Sequence, residues 1–163
     1  MGYIIVFAIL FIAMLVYFKI ADRYNIIDKP NHRSAHTEIT LRGGGVIYPI
    51  AFLLFLGFLL FENKSPISPQ NFLIFGAGLL AISTISFIDD IIDLSSKIRL
   101  FFHFIAVTLL LFFLQAFVNL PFWSIPILYI LIIGILNAYN FMDGINGMSG
   151  LYSLVLLSSL YFI

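Results

Sequence analysis

The segment FLIFGAGLLAISTISFIDDIIDLSSKIR, Phe72–Arg99, contains the two features that decide the fold of this chain. Its first part, Phe72–Ile88, has no charged residue and approaches the ~20 residues that a helix needs to cross the hydrocarbon core of a bilayer. Its second part begins with adjacent aspartates and ends with basic residues. This abrupt change predicts a membrane-spanning helix that ends at an aqueous surface.

Apolar runs of this kind recur along the chain of 163 residues, of which 62% are apolar and 10% charged. Soluble domains contain about 25% charged residues. We therefore predict an all-α fold, a polytopic transmembrane helical bundle that forms a single membrane domain. We expect five full spans and a truncated sixth, at residues 3–21, 46–61, 72–88, 100–118, 124–142 and 151–163.

The basic residues indicate how this bundle is oriented. Only Lys64 follows the second or fourth span, whereas the others follow the first, third and fifth: Lys19, Arg23, Lys29, Arg33, Arg42, Lys97 and Arg99. Short loops rich in Lys and Arg stay in the cytoplasm. We expect the N-terminus to lie outside the cell and the loops 22–45, 89–99 and 143–150 to lie in the cytoplasm.

Composition also excludes several classes of function. The net charge is zero, which argues against a nucleic-acid partner bound through its phosphates. The chain contains no cysteine, so a disulfide framework, a thiolate metal site and a cysteine nucleophile are excluded.

The aspartates after the third span form the sharpest chemical signal. If the helix continues, Asp89 and Asp93 lie one turn apart on the same face, with Asp90 beside them. Negative charges are unfavourable at a helix C-terminus, so either Lys97 and Arg99 neutralise them or they bind a divalent cation. Oxygen ligands without cysteine favour Mg²⁺ or Mn²⁺ over zinc. A solvated acidic loop is the alternative interpretation.

A second polar segment, NAYNFMDGINGMSG, follows the fifth span. Asn137, Asn140 and Asp143 recur every third residue and therefore share a polar arc of the helix. Amides within a span face protein or a water-filled cavity. They could bind a substrate or could stabilise helix packing.

The first cytoplasmic loop supplies polar and basic side chains, among them His36 and Arg42. Arg42 leads through three glycines into the second span, whose N-terminus favours an anion. An electropositive site opposite the carboxylates would suit a diphosphate, but these basic residues could also serve only to retain the loop in the cytoplasm. For His103, in the fourth span, we expect packing or a backbone hydrogen bond rather than ligation.

Three segments together, RSAHTEITLRGGG, FIDDIIDLSSKIR and NAYNFMDGINGMSG, resemble the polyprenyl-phosphate N-acetylhexosamine-1-phosphate transferases. This is the MraY and WecA family, also called glycosyltransferase family 4, and the resemblance is closer to the WecA and O-antigen-initiating branch. It implies transfer of a sugar 1-phosphate from a UDP-N-acetyl sugar to undecaprenyl phosphate, with release of UMP and with Mg²⁺ or Mn²⁺ as cofactor. The expected location is the bacterial cytoplasmic (inner) membrane, and the expected pathway initiates a cell-envelope glycan such as O-antigen or capsule.

The resemblance also assigns roles to residues. It implies that Asp89 and Asp90 are catalytic and take part in binding the metal. Asp93 joins the predicted metal ligands because of its spacing from Asp89. It implies a substrate-binding role for a larger set: Asn137, Asn140, Asp143, Asn146, His36 and Arg42. Asn146 stands where the family motif has a second aspartate, and the family's later motifs are absent from this sequence, so we expect an incomplete form. The alternatives are a non-catalytic membrane remnant and a small multi-pass transporter subunit.

Overall fold

The computed structural model of the protein describes residues 2–28, 40–62, 68–92, 94–142 and 148–161. Long helices follow the predicted apolar segments. Their bounds are α1 Gly2–Arg23, α2 Ile47–Glu62, α3 Pro69–Ile91, α4 Ser96–Phe113, α6 Ser124–Met142 and α7 Met148–Tyr161, with a four-residue helix, α5, at Ala116–Asn119. The all-α fold is confirmed.

The outer surface of the helices is apolar. Three helical segments, Ile4–Arg23, Gln70–Ile91 and Ser96–Phe113, are long and apolar enough to cross a membrane by length and composition. Shorter apolar helices occur at Gly44–Leu59, Ser124–Asn140 and Gly150–Tyr161. Large apolar side chains lie on the outside throughout the described residues, as a bundle surrounded by lipid requires. The chain is therefore a membrane protein.

The helix α3 lies at the centre of the bundle. It packs most extensively against α4 and also contacts α2, while α1 packs against α2, α6 against α4 and α7 against α6. A Cβ atom at Gly78 of α3 would lie 3.2 Å from Leu109 Cβ and 3.3 Å from the carbonyl oxygen of Ala106. Because small residues let membrane helices approach closely, Gly78 permits the tight α3–α4 contact.

The helix α4 differs at both ends from the span predicted at 100–118. It begins at Ser96, one turn earlier, so His103 lies in its second turn rather than its first. It ends at Phe113 because Gln115 adopts a left-handed conformation with φ of 55°, which a helix C-terminus commonly shows. The polypeptide then continues as the short α5.

The hydrophobic core lies where α4, α5 and α6 meet. It is formed by Val107, Leu111, Ala116 and Ile125. Beside it, Thr108 Oγ1 and Tyr129 Oη are 2.7 Å apart and share a hydrogen bond. The rings of Phe104 and Tyr129 stack with centroids 4.6 Å apart. These contacts join α4 to α6.

The first loop is closed at its base by a two-residue antiparallel ladder. Strand β1, Ile27–Asp28, pairs with strand β2, Thr40–Leu41, in the register Ile27–Leu41 and Asp28–Thr40. A short 3₁₀ turn, Gly44–Val46, then leads into α2. The ladder brings the end of α1 next to the start of α2.

Candidate active site at one end of the bundle

Three of the acidic and amide residues predicted from the sequence, Asp89, Asp90 and Asn140, lie at one end of the bundle. The C-terminal ends of α3 and α6 lie there beside the N-terminal ends of α2, α4 and α7. Two neighbouring cavities occupy this end. The first cavity, of about 340 Å³, includes Asp90 and Asn140 in its lining. The second cavity, of about 260 Å³, includes Asp89, Arg99 and Asn140.

The two cavities share one wall, which brings the candidate residues into a single site. The residues common to both linings are Gly45, Tyr48, Ile82, Ser86 and Asn140. Asp89 and Asp90 are adjacent in the chain and open into different cavities on either side of this wall. A ligand that fills both cavities would therefore contact both carboxylates and the Asn140 amide.

Asp89 is held by two donors. Its Oδ1 accepts a hydrogen bond from the main-chain N–H of Leu94 at 3.0 Å, and its Oδ2 accepts one from Arg99 Nη1 at 3.2 Å. The Asp89 side chain is 19% exposed and that of Arg99 is 34% exposed. Arg99 therefore neutralises Asp89, as one of the three interpretations of the acidic segment proposed.

The helix α3, which carries Asp89 and Asp90, ends earlier than the prediction of a shared acidic face requires. The last residue of α3 is Ile91, and Ile92 is extended with φ of −132° and ψ of 125°. The bond from Leu94 to the Asp89 side chain turns the chain here. Asp89 and Asp93 are expected to share a helical face only if the helix continues, and this condition is not met, since α3 ends at Ile91. Asp93 itself lies outside the described residues.

Arg42 contacts the acidic segment rather than a cavity. Its Nη1 donates a hydrogen bond to the main-chain carbonyl oxygen of Asp90 at 3.2 Å. The carbonyl oxygen of Arg42 in turn accepts a hydrogen bond from the Tyr17 hydroxyl of α1. Arg42 thereby ties the first loop to the C-terminus of α3, where a cation is favourable, and supports the segment that carries Asp90.

The two asparagines of α6 are both exposed but are placed differently. Asn140 lines both cavities, whereas Asn137 lines neither. A substrate-binding role for Asn137 stays a prediction. Four other predicted residues lie outside the described part of the chain: His36, Asp93, Asp143 and Asn146.

The described residues can be tested for a fit to the divalent cation that the sequence predicts. Among them, no group of three or more His, Cys, Asp or Glu side chains is arranged to hold a metal ion. Both oxygens of Asp89 are already engaged. Asp90 and Asn140, whose side chains contain oxygen atoms, line the first cavity. Because Mg²⁺ usually binds through one or two carboxylates plus substrate phosphates, this donor set fits an ion shared with a phosphate ligand.

Several lining residues were not singled out in the sequence. Ser86 of α3 and Tyr48 of α2 lie in the shared wall, and Tyr139 and Ser153 line the second cavity. Ser86 precedes Asp89 by one helical turn and so occupies the same face of α3, which is a signal that spacing could have given. Tyr48 carries no such signal because its position depends on the fold of the first loop.

The fold and site define a class of protein, a helical membrane protein with a polar, acid-containing site at one end of its bundle. The family model described as glycosyl transferase family 4 matches residues 72–163, which is more than half of the chain. This protein therefore belongs to glycosyl transferase family 4. The matched region contains Asp89, Asp90 and Asn140, and the family resemblance found in the sequence is confirmed.

Two curated proteins are similar to this chain. The chain is 28% identical over 156 residues to a probable undecaprenyl-phosphate N-acetylglucosaminyl 1-phosphate transferase of Bacillus subtilis, an alignment that covers 87% of the chain and 41% of that protein. It is 29% identical over 147 residues to the undecaprenyl-phosphate alpha-N-acetylglucosaminyl 1-phosphate transferase of Thermotoga maritima, with coverage of 86% and 43%. The chain thus spans about two fifths of the length of these relatives. No solved structure matches the chain.

Proposed function

We propose that this protein acts in the transfer of a sugar 1-phosphate from a UDP-N-acetyl sugar to undecaprenyl phosphate, with release of UMP. The proposal rests on one observation: Asp89, Asp90 and Asn140 line two cavities that share a wall. The names of the two relatives favour N-acetylglucosamine as the sugar. The product would initiate a cell-envelope glycan, and the first-loop sequence favours the WecA branch.

The chemistry matches what these side chains can do. A phosphate oxygen of the lipid attacks the phosphorus that bears the sugar, the bond from that phosphorus to the bridging oxygen breaks, and UMP leaves with the electron pair. Such transfer depends on positioning and charge stabilisation rather than on covalent chemistry of the protein. Asp90 lines the first cavity and would orient the attacking phosphate or accept its proton.

The supporting residues hold this geometry. Arg42 binds the main-chain carbonyl of Asp90, and Arg99 binds the Asp89 carboxylate. Asn140, which faces both cavities, would bind the sugar nucleotide. A divalent cation held by Asp90 and Asn140 would neutralise charge on the diphosphate.

A lipid acceptor agrees with the apolar surroundings of the site. A third cavity, of about 130 Å³, lies between α3, α4 and α6 and has an almost wholly apolar lining. Two of its residues, Ile82 and Leu136, also line the second cavity. A polyprenyl chain could therefore remain among apolar side chains while its phosphate reaches the polar end of the bundle.

The proposed location is the bacterial cytoplasmic membrane, with the site facing the cytoplasm and the N-terminus outside. Among the described residues, Arg23 at the end of α1, Arg42, Lys97 and Arg99 all lie at the cavity end of the bundle. This distribution supports the orientation because basic residues in short loops remain in the cytoplasm.

The proposal is tested by UMP release. The longest natural form of the protein is reconstituted in lipid nanodiscs with Mg²⁺, undecaprenyl phosphate and a panel of UDP-N-acetyl sugars. We expect D90N to lower turnover by about a thousandfold or more, since it removes the group that handles the reacting phosphate. D22N is the matched control, because Asp22 is exposed on α1 and lines neither acid-containing cavity. Absence of UMP release by the wild type with every donor contradicts the proposal.

A further inference from the structure

His103 is a buried polar residue beside the site for which the protein offers no complete set of partners. Its side chain is 8% exposed. Among the described residues, its Nδ1 atom is buried and has no hydrogen-bond partner. Burying an unpaired polar atom destabilises a protein, so a histidine that served only to fill space would be a poor choice at this position.

The surroundings of His103 indicate what could pair with it. His103 lines the second cavity together with Asp89, Arg99 and Asn140. Arg99 and His103 are one turn apart on α4 and therefore share a face, which lies in the first two turns of that helix. This end of a helix carries partial positive charge from its unpaired N–H groups. The α4 wall of the cavity thus carries a basic side chain, Arg99, which is paired with the Asp89 carboxylate of α3.

We propose that His103 is a substrate-binding residue whose Nδ1 hydrogen-bonds a phosphate oxygen of the ligand in the second cavity. This inference rests on the proposed function and assigns one more residue to it. A neutral histidine with hydrogen on Nδ1 donates to a phosphate oxygen, and a hydrogen bond to a charged group is stronger than one between neutral groups. The phosphate belongs either to the UDP-sugar or to the polyprenyl lipid.

Three variants separate binding from packing. In H103L the side chain fills space but offers no polar atom. In H103N the side-chain amide places a donor near the position of Nδ1. L111A is the control, because Leu111 is 1% exposed two turns further along α4 and lines none of the three cavities.

The experiment measures the affinity of each variant in nanodiscs for two probes, UDP-N-acetylglucosamine and undecaprenyl phosphate, with the melting temperature recorded in parallel. We expect H103L to weaken the binding of one probe by about tenfold or more, without a lower melting temperature. We expect H103N to restore most of the affinity. L111A should lower the melting temperature and leave both affinities unchanged. The probe that loses affinity identifies the source of the phosphate.

The outcomes distinguish this inference from the function on which it rests. If the wild type binds both probes and H103L binds them equally well, His103 is a packing residue and the inference alone is overturned. If H103N weakens binding as much as H103L does, a hydrogen bond from Nδ1 is not the cause and the inference is also overturned. If the wild type binds neither probe, the proposed function fails together with it.

Discussion

The two ends of α4 differ in what their side chains contact. At the cavity end, Arg99 and His103 line a polar cavity, and His103 Nδ1 has no hydrogen-bond partner among the described residues. At the core end, Val107 and Leu111 are each 1% exposed and contact apolar neighbours. A buried position on one helix can therefore serve ligand binding or stability. A polar side-chain atom that has no partner within the described protein indicates the first role, and apolar contacts indicate the second.

This difference has a physical basis in the energetics of membrane proteins. Since lipid tails are as apolar as leucine, contacts between helices depend on close van der Waals packing rather than on exclusion of water. The core end provides such packing between α4, α5 and α6. The cavity end leaves space there and instead holds its charges by specific pairs such as Arg99–Asp89. We expect substitutions at the two ends to affect different properties.

The largest effect on stability is expected from L111A at the core end. Removing a buried leucine side chain typically costs 2–5 kcal/mol, so we expect a loss of about 2 kcal/mol or more in the free energy of unfolding. Ligand affinity should not change in protein that remains folded. Unfolding in detergent by denaturant measures the loss. L157A is the matched control, because Leu157 is 60% exposed on α7 and its removal should have little effect. Weaker ligand binding by folded L111A would contradict the separation between the two ends.

The next effect is expected from G43A, which tests whether the cavity end also depends on close packing. Gly43 has φ of 78°, and a Cβ there would overlap the Tyr17 hydroxyl and lie 2.8 Å from Phe87 Cε2. A left-handed conformation alone costs a residue with a side chain about 1–2 kcal/mol. We expect at least this loss of stability, measured by thermal unfolding.

The adjacent glycine supplies the control for this prediction. A Cβ at Gly44 would meet no atom within 4 Å, and Gly44 lines neither acid-containing cavity. G44A should therefore unfold at nearly the wild-type temperature. Equal losses for G43A and G44A would show that the contact between α1, the first loop and α3 does not stabilise this end.

Much of the helical architecture could be predicted because the hydropathy of each segment is a local property. The apolar runs at Phe72–Ile88 and Ser124–Met142 correspond closely to α3 and α6. The ends of α4 could not be predicted in the same way. Its early start at Ser96 and its end before Gln115 depend on local backbone conformation, which a count of apolar residues does not reveal.

The candidate site was predictable in part for a similar reason. Alternate span ends meet on one side of a membrane bundle, so the sequence places Asp89, Asp90 and Asn140 at the same end, and the structure has all three around joined cavities. The target of Arg42 was not predictable. Its bond to Asp90 joins residues 48 apart in the sequence and requires the ladder and the Tyr17 contact to place the loop. For His103, the expectation of packing took no account of its unpaired Nδ1.

The smallest effect is expected from the Asp89–Arg99 pair, and it shows how far charges at the cavity end contribute to stability. Unfolding free energies of the wild type, D89N, R99M and the double variant give the coupling between the two side chains. Because Arg99 is 34% exposed, we expect a coupling of only about 0.5–1 kcal/mol, as for partly exposed ion pairs.

A second measurement on the same variants tests which carboxylate binds the cation. Mg²⁺ with UDP-N-acetylglucosamine should raise the melting temperature of the wild type and of D89N more than that of D90N. If the melting temperature of D89N alone failed to rise, Asp89 rather than Asp90 would bind the cation. The Asp89–Arg99 ion pair would then exist only in the protein without ligand.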